Sequence, residues 1–151
     1  MDKTMVQFFK ELFDYNLECN QILAHAIVSQ QEKLSENVIN LYSHILNAHQ
    51  IWNNRIDPKA KTFSVWQIHN TAEFINLNLT NYRHSIDIIE SFDLDQIVNY
   101  KISTGGDFTS PIRSIIFHVI NHSTYHRAQI ATEFRLSNLN PLITDYIMFK
   151  R

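Results

Sequence analysis

The chain has 151 residues, 44% hydrophobic and 19% charged, with two glycines, three prolines and a formal net charge of −2. That length fits a single domain over residues 1–151, and so little turn material excludes a many-stranded β fold, which needs Gly, Pro or Asn at frequent turns. Lys and Arg are scattered singly, which excludes a phosphate-binding face and hence nucleic acid as a partner, and no apolar run approaches the ~20 residues of a membrane span.

In chain order, apolar residues at i, i+3, i+4 spacing predict a first helix over Thr4 to Ser29, carried by Val6, Phe9, Leu12, Phe13, Leu17 and Leu23. Its Cys19 is the single cysteine. It reads as a small buried hydrophobe and, with no signal peptide ahead of the helix, fits a reducing cytoplasm. A second helix is expected from Glu36 to Arg55, capped by Ser35 and stopped by Asp57-Pro58. Pro58 to Phe63 reads as a loop. A third helix is expected from Trp66 to Glu90.

Asp93 to Thr109 holds both glycines and an alternating piece, Ile97 to Ser103. It reads as a long crossover carrying a short β-ribbon. Ser110-Pro111, a capping residue followed by proline at the first helical position, opens a fourth helix running to Arg135. A short fifth helix is expected within Asn140 to Arg151. The fold class is therefore all-α: a four-helix bundle with a long crossover between helices three and four and a short C-terminal helix.

Eight histidines are the compositional outlier. His118, His122 and His126 are spaced four apart on helix four and share one face. Adjacent rungs can reach one ion, but the outer pair is separated by about 12 Å along the axis. On a helical wheel, Ile112, Ile116, Val119, Ile120, Ile130 and Phe134 form the apolar stripe. His126 falls inside it, His122 at its border and His118 toward solvent. The 122/126 pair thus points to the bundle interior or its rim, and His118 reads as a surface residue or a carboxylate partner. No glutamate lies between His122 and His126, which excludes the zinc-protease motif. A catalytic zinc site takes three protein ligands plus water. Helix two offers His44 and His49, and its wheel does not choose between them, because apolar residues surround most of its circumference.

Arg127 falls in the apolar arc of helix four, where a lone charge is costly, so a carboxylate partner is expected from Glu11, Asp14 or Glu18. Gln129 and Glu133 continue the histidine face and are candidates to orient a ligand imidazole. Trp52, Trp66 and Tyr15 read as core, and His25, His69 and His84 have no partner at metal spacing. Nothing resembles a Ser-His-Asp arrangement or a phosphate-cradling glycine loop.

Three segments carry a family resemblance: Tyr15-Asn16, then His44-Ile45-Leu46 with Trp52 and Arg55, then the run from His118 to Ile130. With Pro141 to Ile147, they make the chain similar over essentially its whole length to the DinB-like (DinB/YfiT) superfamily of metal-binding four-helix bundles. The resemblance implies His44, His122 and His126 as ligands to a divalent metal, zinc or nickel, with His49 as the fallback for the first. It also implies a homodimer. Leu17-Glu18 departs from relatives that carry a tryptophan there. Two functions follow from the resemblance. One is a metal-dependent enzyme, a thiol-dependent S-transferase or a hydrolase, with a low-molecular-weight thiol or other small molecule as substrate. The other is a non-catalytic, stress-related dimeric module with a structural metal or small-ligand site.

Overall fold

A computed structural model describes residues 3–102 and 104–151. The long helices are α1 (Lys3–Gln30), α2 (Glu36–Ile56), α3 (Phe74–Ser91) and α4 (Ile112–Leu136), followed by a single-turn α5 (Tyr146–Phe149). Strands β1 (Ile97–Lys101) and β2 (Asp107–Pro111) pair antiparallel, Ile97 opposite Pro111, in the crossover between α3 and α4. The four-helix bundle with a crossover ribbon is thus present. Ser103, the last residue of the alternating piece, lies outside the described residues.

Two boundaries differ from the sequence expectation. Pro111 is the N-cap of α4 and not its first helical residue, because Ser110 is held in the ribbon opposite Val98 and its hydroxyl meets that of Tyr100 at 3.1 Å. The third helix begins at Phe74, well after Trp66, preceded by a 3-10 turn over Thr71–Glu73. Asn70 forms a capping box there, accepting from the Ala72 amide while Glu73 reaches back to the Asn70 amide. The residues ahead of it stay irregular because α2 supplies their hydrogen bonds. Ser43, Asn47, Gln50 and Asn54, one or so per turn on a single face, bond the backbone of His69, of Val65 and Gln67, of Lys61 and Phe63, and of Ala60.

Helix α2 packs chiefly on α4, and α1 on α3. The apolar core is divided in two. One cluster gathers Phe9, Leu12, Phe13, Ile88, Ile112 and Ile116; the other gathers Leu23, Ile27, Tyr42, Leu46, Phe74 and Ile130. On every long helix the buried residues around the junction of those two stretches are mostly polar. Among them are Asn16 and Asn20 on α1, His49 and Asn53 on α2, Asn78 and Asn81 on α3, and Ser123, His126 and Arg127 on α4. A polar belt therefore crosses the bundle at mid-height. Asn20 donates to Asn78, Asn53 to the Asn81 carbonyl and Asn81 to the Leu46 carbonyl, so most of the belt is satisfied internally.

Candidate metal centre

The outer edge of this belt, between α2 and α4, brings together His44, His122 and His126. Their ligating nitrogens all lie within 4.8 Å of one another. His44 Nε2 and His126 Nε2 each stand 3.1 Å from His122 Nε2. Two nitrogens on one tetrahedral zinc, with bonds of 2.0–2.1 Å, are about 3.3 Å apart, so the spacing is that of a shared ion.

The outward nitrogens settle which atoms are free. His44 Nδ1 donates to the Val65 carbonyl at 2.9 Å, since a carbonyl can only accept. His126 Nδ1 donates to Gln129 Oε1 at 2.7 Å. With its Nδ1 proton committed, each ring in its metal-binding neutral form presents a lone pair at Nε2 to His122, whose own Nε2 carries at most one proton. At least one of the two 3.1 Å contacts is then lone pair against lone pair. A cation in the middle resolves that repulsion. Burial, followed by proximity to His126, His44 and His118, pushes His122 down to about 3, and burial lowers His126 as well. Both thus stand neutral at physiological pH, the form that binds metal.

The three-histidine donor set fits a divalent transition metal in kind, being all imidazole, with no carboxylate in the cluster among the described residues. It would supply three imidazoles to such an ion, and a catalytic zinc site takes three protein ligands plus water.

Around the ligands, Asn47 donates to the same Val65 carbonyl at 3.2 Å and to the Gln67 carbonyl at 2.7 Å, and accepts from His69 at 2.6 Å. The Trp66 indole stacks on His44 at 4.0 Å and 12° while remaining 61% exposed. Trp66 is thus part of the site's rim and not of the core, a correction to the sequence reading. Tyr125, exposed on the outer side, sits edge-on to His126. Val65, Asn47 and Trp66 are what sequence reasoning missed. Asn47 alone had a signal, one turn after His44 on a helix otherwise rich in apolar residues.

His49 is elsewhere. It is buried in the belt, its Nε2 on Ser85 Oγ at 2.7 Å and its ring against Phe13. Gln129 accepts from His126, whereas Glu133 instead accepts from Ser35 and Asn37. His118 is exposed and touches Trp52, not a carboxylate. Arg127 is buried, but the expected carboxylate is absent. Its guanidinium donates to Asn16, Asn20, Tyr15 and Thr124, all neutral oxygens. Glu11 is engaged by Tyr146 and Lys150, and Asp14 by Tyr82.

The family model described as DinB family matches residues 5–151. The uncharacterized protein YizA of Bacillus subtilis (strain 168) is 23% identical over 151 residues, covering 91% of this chain and 92% of that protein.

Proposed function

This chain belongs to the DinB family, and from that premise we propose that it is a metal-dependent enzyme, of the thiol-dependent S-transferase or hydrolase type. In this reading His44, His122 and His126 hold one divalent ion, zinc or nickel, and its fourth position takes water or a low-molecular-weight thiol. Bound metal lowers the pKa of that water or thiol and makes it a nucleophile near neutral pH. The chain's own contribution is to orient His44 by the Val65 carbonyl and His126 by Gln129, and to leave a position open. The observation that carries the reading is the pair of 3.1 Å Nε2 contacts to His122 made by rings whose Nδ1 protons are already committed. A purely structural site would fill its fourth position with protein, and no fourth His, Cys, Asp or Glu joins the cluster among the described residues.

The test is metal content by emission spectroscopy on protein purified without added metal or chelator. One equivalent of metal is expected, falling to trace in His122→Ala and His126→Ala and retained in His49→Gln. Metal content that is indifferent to the first two changes overturns the assignment.

The reading includes a homodimer working in the cytoplasm. No helix among the described residues is long and apolar enough to cross a membrane. The apolar face suited to pairing lies on α1 and α4, where Phe8 and Phe117 are each about half exposed over a shallow recess lined also by Met5 and Phe9. Helix α2 keeps its apolar residues largely inside the bundle.

A further inference from the structure

We propose that Arg55, stacked on Trp52, is a second anchoring point that holds a carboxylate at the far end of an elongated ligand whose head sits on the metal. This rests on the metal-centre reading above.

His44, Ala48, Trp52 and Arg55 follow one another at successive turns of one face of α2. Opposite them run His126, His122 and His118 of α4. His44 meets His122 and His126, while Trp52 meets His118 at 4.9 Å, so the two helices run antiparallel and the stripes face each other. A strip of rings leaves the metal position in this way: His122 to His118 at 5.5 Å, then His118 to Trp52. At its end the Arg55 guanidinium lies 3.9 Å above the Trp52 ring and 5.2 Å from the ring of Tyr100. His118 is exposed, and Trp52, Arg55 and Tyr100 are half-buried, so the strip is open to a ligand along its length.

Arg55 differs from the chain's other engaged cations. Lys10, Lys59, Lys101, Arg113 and Lys150 are each in an ion pair, and Arg127 is buried with its four terminal N–H groups on neutral oxygens. Arg55 has no carboxylate partner among the described residues, and a single bond, to the Lys101 carbonyl at 2.9 Å, uses one of its five N–H groups. Stacking occupies the face of a guanidinium and leaves its edge, the part that binds a carboxylate with two parallel hydrogen bonds. From His44 to the Trp52–Arg55 turn is about 12–16 Å along the helix. The ligand class is therefore a molecule with a metal-binding head such as a thiol, a flat or apolar middle lying on His118 and Trp52, and a carboxylate at that distance.

The test uses the whole protein loaded with Co(II), reading the thiolate-to-cobalt absorption band during titration with paired mercaptans. Mercaptoundecanoate spans the strip; mercaptoundecanol has the same length and no charge; mercaptohexanoate and mercaptohexanol are too short to reach Arg55. The long acid is expected to bind roughly ten-fold or more tighter than the long alcohol, the short pair to bind alike, and Arg55→Gln to erase the long pair's difference. Equal binding of the long pair to the unaltered protein overturns the anchoring point, even where Arg55→Gln folds poorly. So does an acid preference that survives Arg55→Gln. A protein that takes up no cobalt at the histidines, or shows no thiolate band with any mercaptan, overturns instead the metal-centre reading on which the proposal stands.

Discussion

His44 donates from Nδ1 to the carbonyl oxygen of Val65 at 2.9 Å, and that bond fixes which nitrogen of His44 faces His122. The acceptor belongs to a segment with no regular structure of its own, kept in place by Asn47, which donates to the carbonyls of both Val65 and Gln67. The orientation of His44 thus depends on a loop whose Val65 and Gln67 carbonyls are both held by one amide. Asn47→Ala is expected to lower metal affinity ten- to a hundred-fold, the usual cost of losing an outer-shell partner, while the bundle still folds. Competition against a chromophoric chelator measures it; an unchanged affinity means the loop holds itself.

Metal binding to the folded chain alone raises its stability by mass action, by about 2.7 kcal/mol when free metal is a hundred times Kd. For a domain of this size each kcal/mol moves Tm by a few degrees. Adding saturating zinc to metal-stripped protein should therefore raise Tm by about 5–10 °C, and His122→Ala should abolish the rise. His122 is the informative choice because it makes both of the 3.1 Å contacts.

Arg127 is the only buried Lys or Arg among the described residues, and it satisfies the oxygens of Asn16, Asn20, Tyr15 and Thr124 at once. Lysine has the charge without the planar fork and cannot serve four acceptors in that arrangement. Arg127→Lys should destabilise by roughly 2–4 kcal/mol, through orphaned buried acceptors, and leave metal stoichiometry intact. Urea unfolding monitored by helical circular dichroism, alongside metal analysis, separates the two effects.

The helices and the 122/126 pair were legible because both follow from spacing: apolar stripes at helical period, and two histidines one turn apart at the stripe's edge. The third ligand was not legible from spacing, since burial on every side of α2 erases the polar–apolar contrast a wheel depends on. Val38 through Gln50 includes ten consecutive buried residues from Leu41 onward. The stretch from Trp66 to Asn70 misled for the opposite reason. Its residues could extend a helix, and long-range bonds from Ser43 and Asn47 to Gln67 and His69 hold them out of one. Arg127 was misjudged because a buried charge suggests a carboxylate, while here several neutral oxygens share the task.

The exposed Phe8 and Phe117 stand about half open to solvent beside Met5 and Phe9, an apolar patch at one end of the bundle. If two copies pair through it, Phe117→Glu should convert a sedimenting dimer to monomer at micromolar concentration with the helical content kept. A monomer in the unaltered protein, or a dimer that survives the change, removes this face as the interface.

His49 gives the sharpest pH dependence. It is buried in the belt beside Ser85 and Phe13, and burial, with the nearby His84, pushes its pKa from 6.5 to about 3. In the unfolded chain it titrates near 6.5, so below that pH the unfolded state takes up a proton that the folded state refuses. Stability is then full above about 6.5, falls through the window from 6.5 to 3, and levels off below it. The slope approaches 1.4 kcal/mol per pH unit for one proton. Metal-free protein should lose stability between pH 7 and pH 5, with His122 acting in the same direction. His49→Gln keeps a group that can bond Ser85 but has no proton to gain. Its loss over the same interval should be smaller by roughly 1–2 kcal/mol, read from urea midpoints with chelator present. Parallel curves for the two proteins would mean that His49 is protonated as readily inside the bundle as outside it, and that the belt is wetter than its burial indicates.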